Sequence, residues 1–443
     1  MSKGVLVVNK LWGVFWEKIQ GLFHHEEKRR VLSNFFFLSI LQAANYLLPL
    51  ITLPYLTRVL GPSYFGLLGV ALSLVGYFNP ITEFGFGLTA TREISIAKND
   101  HSKISEIFSA VMVFKILLTM LSLGILLLLL VLIPQFGAHR WLYLATFGIT
   151  VGNALYPSWF FQGMEEMQYI TLMNITAKAI FTLLVFFVVR SSNDYLFVPI
   201  LQSLGWIVAA LIALVIVKRR FSPSFFIPSR KVLWYHLRES FPIFFSSLIS
   251  GVYTISAPLF LSFFVAPEEV GYFYGATRLI DPLKSLLGPV SGALYPYLSQ
   301  KAYYQKERFA FLVKRLSLIF GAGALVVSLG LFVFAGLIIR IVLGSQYGPS
   351  VLLFRILSFV FFFVALGTVW GVQTLLPLNK KKEFTFALTG GSVLFVLLSL
   401  VLLPWLKTVG MAMIVVTTEA SVALFMFFAL RDFLFSKEKE AKL

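Results

Sequence analysis

The chain has 443 residues, of which 58% are hydrophobic and 13% charged, with a mean hydropathy of +0.86. Soluble domains carry about 25% charged residues, so this composition excludes an ordinary water-facing enzyme and a disordered or repeat scaffold. Lys and Arg number 37 against 20 Asp and Glu, a net charge of +17, and there is no cysteine. In so apolar a chain the basic excess points first to cytoplasmic loops obeying the positive-inside rule, and nucleic acid is not an expected partner. Without cysteine there is no disulfide, thiolate metal site or thiol nucleophile.

Residues 1–31 carry Leu11, Val14, Phe15, Ile19, Leu22 and Phe23 at helical spacing among Lys10, Lys18 and Lys28. This is the pattern of an amphipathic helix on the cytoplasmic membrane face. The apolar stretch at 5–8 is too short for a signal peptide, and no small-residue cleavage site follows it. Twelve runs then have the roughly 20 mostly apolar residues that span a bilayer. They lie at 34–56, 64–83, 106–133, 141–162, 170–190, 195–217, 240–264, 270–298, 314–342, 351–376, 384–404 and 408–430.

With the N-terminus inside, 27 of the 37 Lys and Arg fall in cytoplasmic connections and five in external ones, which predicts both termini in the cytoplasm and an even number of crossings. The longest polar interruption, KRRFSPSFFIPSRKVLWYHLR at 218–238, divides an N-terminal six-helix bundle (32–217) from a C-terminal one (239–431), which is followed by a cytoplasmic tail (432–443). The halves echo each other. TLPYLTRVLGPSYFG at 52–66 aligns with SAPLFLSFFVAPEEVG at 256–271 with one residue inserted, matching Pro54 to Pro258, Pro62 to Pro267 and Gly66 to Gly271. An all-α polytopic membrane protein of about 12 transmembrane helices in two parallel repeats is the expected fold class, a plan common among secondary transporters.

Several chemistries are missing. His24, His25, His101, His139 and His236 all fall in loops or flanks, so no intramembrane imidazole cluster is expected to bind metal or relay protons. No GxxxxGK[ST] phosphate loop occurs. Gly288 with Gly292 and Gly367 with Gly371 have the spacing that lets helices approach closely. A membrane glycan polymerase or ligase presents its reactive groups on a long external loop, whereas external connections such as 134–140 and 265–269 are short; no catalytic residue is assigned.

The informative residues are charges inside apolar runs, each costing at least about 2.5–3.5 kcal/mol at the bilayer centre. Lys115, Lys178, Arg278, Lys284 and Arg355 are cations; Asp281 and Glu419 are anions, with Glu83 at a span end. Internal pairing alone calls for equal numbers, so the surplus is one an anionic ligand can neutralise. Within RLIDPLKS, Arg278, Asp281, Lys284 and Ser285 share a helix face beside Pro282, which interrupts the backbone ladder. A purely structural bridge from Asp281 to both cations is the alternative there, and snorkelling is the alternative for Lys115, Lys178 and Arg355 near span ends. Asn34, Gln42 and Asn45 form a polar stripe on the first span. With Asn153, Gln162, Asn174 and Gln202 they either line a polar cavity for hydroxyl-rich cargo or hydrogen-bond between helices. Tyr77, Trp159 and Trp370 either stack on sugar faces or sit in interfacial belts.

The stretch NYLLPLITLPYLTRVLGPSYFGLLGVALSLVGYF at 45–78, followed by EFGFGLTATREIS at 83–95, resembles the opening of bacterial polysaccharide flippases. These belong to the multidrug, oligosaccharidyl-lipid and polysaccharide exporter superfamily. The resemblance implies a V of two six-helix bundles around a central cationic cavity, in the bacterial plasma (inner) membrane. It implies flipping of undecaprenyl-pyrophosphate-linked oligosaccharide units for O-antigen or similar surface polysaccharide. Membrane lipids, and a glycan polymerase with its assembly proteins, are the implied partners, and no cofactor is implied. Arg58 in TRVLGP and Arg92 in TATRE fall in the matching motifs. On this basis Arg278, Lys284, Arg355, Lys115 and Lys178 are candidates to hold the pyrophosphate, with Asn45 and Gln42 beside them. Asp281, Glu83 and Glu419 are candidates to couple transport to protons or sodium. A drug/cation antiporter of the same superfamily is the nearest alternative, but its cargo calls for an acidic cavity.

Overall fold

The computed structural model describes residues 26–440, with side chains described from Asn45 onward except at 46, 47, 250 and 435–440. Residues 1–25 of the interfacial segment expected at 1–31, the Asn34 and Gln42 side chains and residues 441–443 of the expected tail lie outside the described residues. Most of each of the twelve predicted ranges is helical, although 141–162 is split at Tyr156 and Pro157 and 240–264 at Ser256, and no strand occurs among the described residues.

Helix α1 (Glu26–Gly76) is broken at Gly61 (φ 69°, ψ 172°), a backbone conformation open to glycine, and Pro62 restarts the helix where its missing N–H has no partner to lose. Short α2 (Phe78–Glu83) and α3 (Phe86–Ile96) follow, separated by left-handed Phe84 and Gly85. The leucine-rich α4 (His101–Leu132) is capped by Asp100, whose carboxylate accepts from the Lys103 N–H at 3.1 Å. Then come α5 (Arg140–Leu155), α6 (Ser158–Gly163), α7 (Met167–Val188) and α8 (Phe197–Ile216), the last closing in a π turn at Val217–Phe221. The second half holds α9 (Arg230–Ile255), α10 (Ala257–Ser262), α11 (Pro267–Tyr304), α12 (Lys306–Val333), α13 (Ala335–Val342) and α14 (Ser350–Gly367), which runs into a π segment at Thr368–Leu375. Finally α15 (Lys381–Glu440) is broken at Lys407 (φ 48°). Seven helical stretches of the described residues are long and apolar enough to cross a membrane, so the chain is a multi-pass membrane protein. Two of them, Leu48–Ile96 and Lys381–Leu434, run to 49 and 54 residues and contain the breaks at Gly61 and Lys407. Each exceeds twice the roughly 20 residues that one crossing needs.

The polar connection is shorter than its sequence implies, because α9 begins at Arg230 and only 222–229 are non-helical. This piece is held on α4. The Ser224 and Phe226 N–H groups donate to Ser105 Oγ (3.0 Å) and Ser109 Oγ (3.2 Å), and Ser109 Oγ donates to the Ser224 carbonyl (3.1 Å).

The buried apolar residues show how the halves are joined. One cluster unites both halves around Leu60, Phe65, Val270, Phe273, Tyr274, Leu343 and Tyr347. Toward the other end each half keeps its own core: one from Phe84 to Val217 around Trp159 and Phe160, the other around Leu298, Phe309, Leu375 and Met426. The halves share a core at the Gly61 end and form largely separate ones at the Ile96 and Tyr304 end, where Leu237 and Phe244 of α9 nonetheless pack on the first half.

The Gly61 end, the apex, is built on the sequence echo. A Cβ on Gly66 would overlap the Pro267 carbonyl and fall 2.6 Å from the Gly271 nitrogen, while a Cβ on Gly271 would overlap the Pro62 carbonyl. The matched residues of the two repeats thus contact each other reciprocally, as a pseudo-two-fold axis requires. By contrast, Gly288, Gly292 and Gly367 would place a Cβ in open space, whereas a Cβ on Gly371 would fall 2.6 Å from Met426 Sδ and 2.9 Å from Phe384 Cε2, so of these four glycines Gly371 alone shows the close packing expected at the GxxxG spacings. Spacing alone does not say which glycine of such a pair meets a neighbour.

Candidate functional site

A cavity of about 310 Å³ lies between α1, α7, α8 and α11. Its walls are mostly Leu, Phe and Pro, including Leu48, Leu53, Leu68 and Phe181, and its polar groups are Thr52, Lys178, Thr182, Gln202, Trp206, Tyr274 and Arg278. Two cations line it and no carboxylate does. Lys178 donates to the Asn45 Oδ1, which holds the ammonium at the cavity without neutralising it. Arg278 donates to the Tyr274 hydroxyl and lies 4.6 Å over the Tyr274 ring, a cation–π contact that fixes the guanidinium plane while leaving its other donors free.

A second cavity, of about 160 Å³, shares Tyr274 and Arg278 with the first and adds Tyr253, Thr277, Asp281, Lys284 and Glu419. Lys284 Nζ is 2.8 Å from Asp281 Oδ1. Asp281 therefore bridges to one of its two neighbouring cations, and Arg278 turns to tyrosine instead. Glu419 reaches this cavity from α15, bringing a second carboxylate from more than 130 residues away in sequence. A third cavity, of about 570 Å³, opens beside α2 and α3 and includes Glu83, Asn153 and Asn174 in its lining.

The other sequence candidates lie elsewhere. Lys115, 1% exposed, donates to Glu83 Oε2 at 2.7 Å, an ion pair rather than a snorkelling lysine. Arg355 on α14 lies 5.6 Å from the Phe332 ring with its buried Nε unpartnered, and is not in the lining of the three cavities. Arg58 sits at the apex, where it donates to the Ile341 carbonyl at 2.5 Å, next to a Gln346 bond to the Thr57 carbonyl at 2.7 Å. Arg92 is exposed, 3.8 Å from Glu239.

These arrangements agree with comparisons to known proteins. Residues 31–301 match the family described as polysaccharide biosynthesis protein. The chain belongs to that family. Among similar members, a protein of Escherichia coli (strain K12) named for O-antigen transport is 33% identical over 403 residues, covering 90% of this chain and 96% of the relative. Another, from Shigella dysenteriae and similarly named, is 25% identical over 398 residues, covering 90% and 99%. The fold is similar to that of a multidrug resistance MATE transporter of the MOP superfamily in an inward-facing conformation, with a TM-score of 0.69 at 15% identity over 88% of this chain and 96% of the other. It is also similar to lipid II flippase MurJ in an inward closed conformation, with a TM-score of 0.68 at 15% identity over 89% of each chain.

Within this polysaccharide biosynthesis protein, sequence reasoning missed the aromatic partners. Tyr274 orients Arg278, and Trp206 lines both the first and the third cavity. Trp159, expected to face sugar or an interfacial belt, is fully buried against Phe108 and Phe160; Trp370 is tied to Ser317 Oγ at 2.9 Å. His236, assigned to a flank, is buried with Nδ1 3.1 Å from Glu93 Oε2. Together with a 2.7 Å contact between the Thr89 and Ser240 hydroxyls, it joins α3 to α9 across the halves. The four-residue spacing of Tyr274 and Arg278 was the one available signal for the first of these.

Proposed function

We propose that this protein flips polyprenyl-pyrophosphate-linked oligosaccharide units, with undecaprenyl as the polyprenol, from the cytoplasmic to the outer leaflet of the bacterial plasma membrane for O-antigen or similar surface polysaccharide. The observation that carries this is the first cavity: Lys178 and Arg278 line an otherwise apolar space that has no carboxylate in its lining. Such a space suits a diphosphate on a lipid. The phosphate oxygens accept charge-assisted hydrogen bonds from Arg and Lys, and the apolar walls border the polyprenyl chain. The names of the relatives support the same cargo class. A drug/cation antiporter needs acid where this cavity has base.

In this proposal the chain crosses twelve times in two six-helix bundles with both termini cytoplasmic, so the apex faces outward and the V opens inward. Alternating access then consists of parting the Gly66–Gly271 contact while closing the inner ends. The cluster of Asp281, Lys284 and Glu419 shares Arg278 with the substrate cavity, and is where a proton or sodium ion would couple to transport. Removing charge at constant size tests the site. Lys178→Gln and Arg278→Gln, expressed at parental levels in a strain lacking its own copy, are expected to leave little surface polysaccharide, read by gel and glycan stain. Full restoration by both would falsify the cationic site.

A further inference from the structure

Resting on that function, we propose that the third cavity is a glycan subsite, separate from the anion site and joined to it at Trp206. The cavity of about 570 Å³ falls within the roughly 300–1,000 Å³ typical of ligand sites. Its polar lining is uncharged apart from one residue, with Asn79, Thr82, Asn153, Asn174, Ser158 and Ser247 set among apolar Pro80, Leu88 and Ile243 and the aromatic walls Tyr156 and Trp206. The only charged side chain in the lining is Glu83, which is neutralised by Lys115. An anion or cation gains nothing here, whereas a neutral, hydroxyl-rich ligand finds amides and hydroxyls that donate and accept.

Some of these groups are already committed. Asn174 Nδ2 donates to the Ile170 carbonyl at 2.9 Å, and Asn79 Oδ1 accepts from Thr150 at 3.2 Å. Among the described residues, the Asn153 carboxamide and the Ser158 and Ser247 hydroxyls make no hydrogen bond within the protein, and all three remain partly or fully accessible. Polar groups left open at a cavity wall are what a sugar would engage. Trp206 packs 6.2 Å from Tyr156, and Gly152 admits it, since a Cβ there would lie 2.6 Å from the Trp206 Cβ. Its indole has the apolar face and single donor that suit a pyranose ring. Because Trp206 lines both cavities, the space holding Lys178 and Arg278 adjoins, at the indole, the one holding the neutral amides. Such adjacency suits a pyrophosphate and its linked sugar in one molecule.

The test is equilibrium binding of purified full-length protein to polyprenyl pyrophosphate with and without a linked disaccharide. The parent is expected to bind the disaccharide form more tightly. Asn153→Ala combined with Ser247→Ala is expected to weaken that form by roughly tenfold, two modest hydrogen bonds' worth, and to leave the bare lipid unchanged. Lys178→Gln is expected to weaken both. If the parent binds both lipids equally, or the double variant keeps the whole disaccharide advantage, the subsite is wrong and the anion site stands. Equal loss of both lipids by the double variant assigns Asn153 and Ser247 to the fold and also overturns the subsite. A parent that binds neither lipid removes the proposed function, and the subsite with it.

Discussion

Gly271→Ala puts one methyl group into the apex. The new Cβ would lie 2.6 Å from the Pro62 carbonyl carbon and 3.0 Å from its Cα, and would overlap the carbonyl oxygen, whereas ordinary contacts begin at 3.4 Å. The obstruction is backbone, which cannot rotate aside as a side chain does, so α1 and α11 must part by about 0.8 Å or more at this point. Overpacking of this kind costs about 1–3 kcal/mol. If the joined apex is one of two states, that cost shifts the balance by roughly 5- to 150-fold toward the state in which the apex is open. The absence of native cysteine makes the assay direct: Gln202→Cys in the first cavity is then the sole thiol, and an impermeant maleimide is added outside intact cells. Labelling is expected to accelerate in Gly271→Ala. Gly288→Ala, whose Cβ meets nothing within 4 Å, is the matched control and is expected to label like the parent. Equal external labelling in folded Gly271→Ala would refute the assignment of Gly66 and Gly271 as the outer closure.

Glu83→Gln is expected to lower the stability of the purified protein by about 3 kcal/mol, the low end of breaking a buried ion pair, because it strands the Lys115 ammonium, which is 1% exposed. Lys115→Met is expected to cost less, since Glu83 is 39% exposed and stays hydrated; thermal unfolding that ranks the two the other way would contradict this assignment. Thr89→Cys with Ser240→Cys is expected to form a disulfide on mild oxidation, because the native hydroxyls lie 2.7 Å apart. The cross-link ties α3 to α9 and is read as a reductant-sensitive mobility shift; failure to form it would show that the two helices do not meet there in the membrane.

Charges inside apolar runs were legible because their cost in a bilayer makes each one conspicuous, and Lys115, Lys178, Arg278, Lys284, Asp281 and Glu419 were all found that way. The Asp281–Lys284 pair, three residues apart on one helix, was legible as well, whereas partners on other helices were not. Glu83 and Lys115 are 32 positions apart, and Asn45 and Lys178 are 133 apart, so each pairing depends on which helices end up adjacent. The apex shows the same division. Pro62, Gly66, Pro267 and Gly271 stood out as a repeated pattern, since Pro and Gly mark helix breaks, yet only the fold reveals that the two copies press on each other. Helix ends were misplaced for a further reason. Charge in the sequence marks where the bilayer stops, whereas a helix continues into water as long as its ladder is unbroken, as α9 does by starting at Arg230.

Geometry also changes what the charge surplus means. Five cations stood against two anions in the sequence, but Lys115 is cancelled by Glu83 and Lys284 by Asp281, and Arg355 turns away to Phe332. What remains is two positive charges facing one apolar space. At an effective dielectric of about 20, a unit anion roughly 4 Å from one such charge gains about 4 kcal/mol, against about 1 kcal/mol in water. A cation placed there would be repelled on the same scale. Under the proposed function, two such charges would therefore discriminate between cargo classes more sharply than the chain's net +17, most of which lies in connections bathed in salt, where screening weakens it.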